Sequence, residues 1–298
     1  MNFQTFTLLK LAATGERKIH PVLAPVIAFS FLFFGGLGIF FLILFPLPVS
    51  PLMQSVWFHL ELIVSFSGTA LFTFAWVRLV EKRPVSSIGF TKERAFKKYI
   101  TGWMWGFLLI SAPVFLLWIT GSLTFEITKI HLPALLILLL SMITFIIQGA
   151  TEEIVVRGWL FPVMAMRAPF WIAVGTSFLF FAAMHLLNDG INVISFLNIS
   201  LFGLFAVGHV LNEGSLWGIC AIHSVWNWAQ GSVFGLAVSG QSLSFPLLHA
   251  TTHGPEWFHG GPFGIEGSIL TSVILSVASW MVWRKVFIRL RQQNISNL

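Results

Sequence analysis

Four places in the chain set ionisable or polar side chains within apolar stretches, where such groups are costly and mark function by default. Thr151-Glu152-Glu153-Ile154-Val155-Val156-Arg157 joins two carboxylates to a guanidinium. Phe181-Ala182-Ala183-Met184-His185 sets a His four residues after a Phe, and His223-Ser224-Val225-Trp226-Asn227 spaces a His and an Asn in the same way. His59 with Glu61 is the fourth. On a helix Glu153 and Arg157 stand at i and i+4, so they meet on one face and can pair. Glu152 is turned away by about 100° and finds no local partner. One Glu therefore reads as structural and its neighbour as available for general acid–base work. The alternative is that both share Arg157 in a packing network between helices. His223 and Asn227 point the same way into a bundle, as do Phe181 and His185. A lone His in an apolar helix usually serves the core, but three such motifs able to converge point to a site.

The elements that carry these motifs are membrane helices. Of 298 residues, 56% are hydrophobic and 9% charged, against about 25% charged in a soluble domain. That excludes a water-soluble enzyme and makes lipid the solvent for most of the surface. The single Cys, Cys220, excludes a disulfide framework and a cysteine-only metal cluster. Charge-free intervals predict about eight spans, at 22–46, 54–78, 99–120, 131–153 with an extension toward 165, 169–187, 192–211, 215–236 and 263–284. The expected fold is an all-α polytopic membrane protein with a polar catalytic cavity in the bundle core. Residues 1–130 form three N-terminal helices with a basic loop from Arg78 to Lys98, and 131–298 form the catalytic core and a C-terminal helix. Residues 237–262 read as a long polar-aromatic loop. The first twenty residues read as topogenic, with Lys10, Arg17 and Lys18 and no cleavage-site pattern.

Basic residues set the orientation. With the N-terminus cytoplasmic, eight passes return the C-terminus to the same side, and all but one of the 17 Lys and Arg lie inside; Lys129 is the exception. A basic inner face against anionic lipid accounts for the net charge of +6 without nucleic acid. The turn at Arg167-Ala168-Pro169 folds the fourth and fifth spans into a hairpin. It sets Glu152 and His185 at one depth, roughly 25 Å along the axis.

An EExxxR motif, then FxxxH, then HxxxN on successive membrane helices resembles the CPBP family of intramembrane proteases. That family includes the type II CAAX prenyl endopeptidases and the bacteriocin-processing or immunity (Abi) proteins. Here the motifs are Glu152-Glu153 with Arg157, Phe181 with His185, and His223 with Asn227, covering about 145–235. Gly214-Ser215-Leu216-Trp217, leading into His223, is also similar to bacterial members.

The resemblance implies that Glu152 with His185 activates a water against the scissile carbonyl. His223 with Asn227 then donates to the oxyanion, and Glu153 and Arg157 hold the helix. It implies a peptide or membrane-protein segment as substrate and the cell membrane as location. Members have also been described as metalloproteases, and zinc would take Glu152, His185 and His223. The chain lacks HExxH spacing and HxxxN offers a poor amide ligand, so the favoured reading is metal-free. A non-catalytic scaffold or regulator of the same fold, and a proton- or ion-coupled transporter using Glu152, are the alternatives.

Smaller expectations concern the remaining residues. His59 and Glu61 read as solvated near the boundary, and His209 as capping or packing. His249, His253 and His259 read as a solvated loop cluster, and Trp57, Trp103, Trp159 and Trp171 as an interfacial belt. A length of 35 residues from 131 to 165, roughly 52 Å, predicts that Gly158 to Met166 project into the cytoplasm below a cytoplasm-facing cavity.

Overall fold

A computed structural model of the chain describes residues 6–44, 49–128 and 131–296. Lys129, the one basic residue expected outside, and residues 45–46 of the first expected span lie outside these. The protein is all-α and polytopic. A short α1 (Thr7–Ala12) precedes α2 (Ala24–Gly36), α3 (Pro51–Ala75) and α4 (Ala95–Ile119). Strand β1 (Leu123–Ile127) follows, then α5 (Leu132–Glu153), α6 (Phe161–Ala165), α7 (Phe170–Ala183), α8 (Val193–Glu213) and α9 (Trp217–Trp228). Strand β2 (Leu248–Thr252), the short α10 (Glu256–His259) and α11 (Ile269–Ser296) complete the chain.

Local chemistry sets the ends of these helices. The Ser50 hydroxyl accepts from the Met53 amide ahead of Pro51, and the His131 ring accepts from the Ala134 amide ahead of Pro133. Asn192 and Ser195 form a reciprocal cap at the start of α8. Among the described residues six helices are long and apolar enough to cross a membrane, at Pro21–Phe40, Pro51–Val80, Ala95–Ile119, Leu132–Ala165, Val193–Glu213 and Ile269–Gln292. The other two expected spans are helical but short. α7 stops at Ala183 and α9 runs only from Trp217 through a wide turn to Val233. α7 ends because the His185 ring turns back to the Phe181 carbonyl and the chain bends through Asn188-Asp189-Gly190, with Gly190 at φ 73°. His185 thus lies two residues beyond the end of α7, the helix expected to carry it.

Around the motif helices, α5 packs between α3 and α9, α4 covers the other side of α9, and α8 lies between α7 and α11. The first 130 residues therefore share one interior with the rest. Residues 237–262, expected as an open loop, hold β2, which pairs antiparallel with β1 in the register Leu123↔Thr252 to Ile127↔Leu248.

The stretch expected to project is enclosed instead. Gly158 to Met164 are buried, and a side chain at Gly158 would collide with Ile88. The chain after α3 folds beneath this stretch, where Glu81 and Arg83 form a buried pair at 2.8 Å and Glu81 also accepts from the Trp159 indole. Trp159 is fully buried, which removes it from the interfacial belt.

Candidate active site

The site begins with the close approach of α5 and α9. Gly149 makes that possible: an added Cβ would stand 2.8 Å from the Ser224 backbone nitrogen. Three and four residues after Gly149, Glu152 and Glu153 face α9, and the helix then widens into a π-helical stretch from Ile154 to Leu160 that carries Arg157. Such widenings change which side chains share a face and recur at functional sites.

Glu153 is the hub of the charged groups. Its Oε1 accepts from Arg157 Nη1 at 3.0 Å and from His223 Nδ1 at 3.0 Å. The other face of the Arg157 guanidinium lies 4.2 Å from the centre of the Phe181 ring. Phe181 also packs against the rings of His185, His223 and Phe202, so the Phe of the second motif joins the other two.

Glu152 is held differently. Its Oε1 accepts from Gln148 Nε2 at 2.6 Å, and its Oε2 has no hydrogen-bond partner; His223 Nε2 lies 3.7 Å away. Gln148 Oε1 in turn accepts from Asn227 Nδ2 at 2.8 Å. One amide therefore orients both Glu152 and Asn227, and the cation Arg157 goes to Glu153.

A cavity of about 620 Å³ opens onto this group, lined by Gln148, Glu152, His185, Asn188, Asn227 and Ser239, with Phe29, Phe58, Phe66, Phe145 and Phe180 among its apolar walls. His185 donates Nδ1–H to the Phe181 carbonyl at 2.8 Å, because a carbonyl can only accept, and this leaves Nε2 as an acceptor in the neutral ring. His223 lines a smaller void shared with His185, Asn227, Ser239 and Glu266. The structure thus brings Glu152, His185 and Asn227 to one cavity. It seats His223 behind them between the two carboxylates, whereas the sequence had paired Glu152 with His185 and His223 with Asn227.

Three residues escaped the sequence reading. Gln148 stands four before Glu152, a spacing that was visible. Glu266 and Ser239 lie in irregular segments where no period points to them. Glu266 is half-buried, with its carboxylate accepting from the Ser239 amide at 2.6 Å and Gln230 Nε2 at 3.0 Å. Burial pushes its carboxyl above the ordinary value of 4.5, against the Ser239 amide, Gln230 and His185, which pull it down.

The smaller expectations divide. His59 is 1% exposed, not solvated, because it lies on the side of α3 turned into the bundle. His209 packs with Glu213 at 3.3 Å at the end of α8. His253 contacts Thr124, and His259 bonds to the backbone of its own turn.

No three His, Cys, Asp or Glu side chains are gathered at ligand spacing among the described residues. Glu152, His185 and His223, the residues zinc would take, do not form such a group; Nδ1 of His223 is given to Glu153 and Nδ1 of His185 to a carbonyl, which leaves each ring its Nε2.

The motif helices sit in a segment with known relatives. Residues 133–229 match the family model described as Rce1-like, type II CAAX prenyl endopeptidase Rce1-like. Over this segment the chain is similar to the Rce1-like, CPBP-type intramembrane proteases. No curated protein and no solved structure is matched by the chain. The Rce1-like segment is about a third of the protein and contains Gln148, Glu152, Glu153, Arg157, Phe181, His185, His223 and Asn227. Ser239 and Glu266 lie beyond it.

Proposed function

We propose that the protein is an intramembrane endopeptidase that hydrolyses a peptide bond of a membrane-associated peptide or protein with a water activated by Glu152 and His185. The observation that carries this reading is Glu152 itself: a buried carboxylate at the cavity with one oxygen fixed by Gln148 and the other free of any donor. Glu152 and the bare Nε2 of His185 supply two acceptors to one cavity, so a water held by both can lose a proton as its oxygen attacks the carbonyl. Asn227 gives one N–H to Gln148 and keeps a second for the oxyanion. His223 and Arg157 hold Glu153, and the Arg157 guanidinium brings a positive charge beside the pair. In this reading His223 orients the carboxylates more than it contacts the substrate.

Glu152→Gln keeps the shape and the Gln148 contact but removes the base. Processing in a strain carrying it should fall by at least about a hundredfold while the protein still accumulates in the membrane. Comparing membrane peptides by mass spectrometry between that strain and its parent tests the reading and names the substrate. An unchanged peptide profile would sink it and favour the scaffold. Proton or ion flux in proteoliposomes abolished by Glu152→Gln would favour the transporter.

The reaction proposed uses no metal. Activity of the detergent-solubilised protein should survive exhaustive dialysis against a zinc chelator. Loss that zinc restores would recast Glu152, His185 and His223 as ligands.

A further inference from the structure

Beyond the Rce1-like segment, the chain from Leu236 to Gln241 returns to the cavity as a tight turn. Val238 and Gln241 exchange both backbone hydrogen bonds, at 2.9 and 2.8 Å, and the two residues between them have positive φ, 47° at Ser239 and 88° at Gly240. This is the pattern of a type I′ turn, which favours Asn or Gly at its first central position. A Ser there is strained, and such strain persists only where the surroundings impose it.

The surroundings do so from two sides. Toward α11, the Glu266 carboxylate accepts from the Ser239 amide at 2.6 Å and from the Ser239 hydroxyl at 3.1 Å, and the Phe263 carbonyl accepts from the Gly240 amide at 3.0 Å. Toward α7, the Ser239 carbonyl accepts from Asn188 Nδ2 at 2.9 Å, and Gly240 packs so tightly on Asp189 that a Cβ would collide with the Asp189 carbonyl. Asn188 belongs to the turn that carries His185, its amide donating to the His185 carbonyl at 3.1 Å. The chain of contacts therefore runs Glu266, Ser239, Asn188, His185, and the last three of these line the cavity.

We propose that Glu266 is a positioning residue, pinning the Ser239–Gly240 turn against the loop after α7 and thereby holding His185 at the cavity. Its role in turnover rests on reading this cavity as the endopeptidase site; the clamp itself does not.

The test uses the full-length protein in detergent with hydrogen exchange as the first readout and processing of the peptide found by mass spectrometry as the second. Glu266→Ala should raise exchange about tenfold in both 184–190 and 236–241, leave α9 unchanged, and slow processing. Glu266→Gln, whose amide oxygen can still accept from Ser239, should fall between Glu266→Ala and the parent. It also serves as the deciding variant where Glu266→Ala does not accumulate. Ser239→Gly adopts the same backbone without strain, so added to Glu266→Ala it should recover part of both readouts. Exchange that rises around Asn198 and Ser268 but not at 184–190 would overturn the clamp, as would failure of Ser239→Gly to recover anything. Equal defects in Glu266→Gln and Glu266→Ala would also overturn it, since charge and not geometry would then be what matters. Exchange reports on the clamp whether or not a processed peptide exists, so the clamp and the endopeptidase reading can fall separately.

Discussion

At the scale of single residues, the division of labour between two adjacent carboxylates follows from helix geometry. Glu153 meets Arg157 four residues on, and Glu152 is left to Gln148. That much could be read from the spacing. The place of His223 could not, because the register between α5 and α9 depends on Gly149, which a periodic pattern treats as one more small residue. Glu266 was hidden for another reason: it lies in a single 3-10 turn ahead of α11, where a carboxylate turned inward has the same local sequence as a solvated one.

Glu266 yields a prediction about pH. Its folded carboxyl titrates above the ordinary value of 4.5, so the protonated form is the one folding favours. The contribution is fully present below that value and is lost as pH rises through the folded one. The melting temperature of the parent relative to Glu266→Gln should therefore be greatest in acid and decline with rising pH. A flat or rising difference in detergent melting curves would contradict the assignment.

At the scale of elements, charge-free intervals located every membrane helix but overstated two. α7 and α9 are short because polar turns replace their last residues: the His185 turn after α7, and the turn with Gly235 at φ 70° after α9. Both short helices carry motif residues, so the ends that hydropathy blurs are the ends that shape the cavity. The β1–β2 pairing was unreadable for a simpler reason, since its partners lie more than a hundred residues apart. The α5–α9 contact gives a sharp test. Gly149→Val would press a side chain onto the Ser224 backbone. It should lower stability by about 1–3 kcal/mol and move Glu152 and Glu153 away from His223, with loss of processing. A melting temperature within error of the parent would show that the helices are less closely fitted.

For the whole molecule, the unequal distribution of basic residues predicts which end faces the cytoplasm. α4 has 25 residues, or roughly 37 Å at 1.5 Å per residue, enough to cross the hydrocarbon core. Lys97 is exposed at its start, whereas its far end leads into β1, whose partner β2 is followed by the exposed Glu256. In a Cys220→Ser background, a Cys at position 97 should react with a membrane-impermeant maleimide only from the cytoplasmic side, and one at position 256 only from outside. The reverse pattern would invert the topology, and reaction of both from one side would deny that α4 spans. A Cys at position 158 would not report, because that site is packed against Ile88.

The Gln148 bridge also decides where a captured proton can rest. Gln148 accepts from Asn227 through its oxygen, so it must present N–H to Glu152 Oε1, and two hydrogens cannot share that contact. In the proposed reaction a proton taken from water would settle on Oε2, opposite the His223 Nε2. With Nδ1–H of His223 already given to Glu153, that Nε2 stands 3.7 Å from Oε2 as a vacant base, so in the proposed reaction the proton would leave through His223 and not back through the amide.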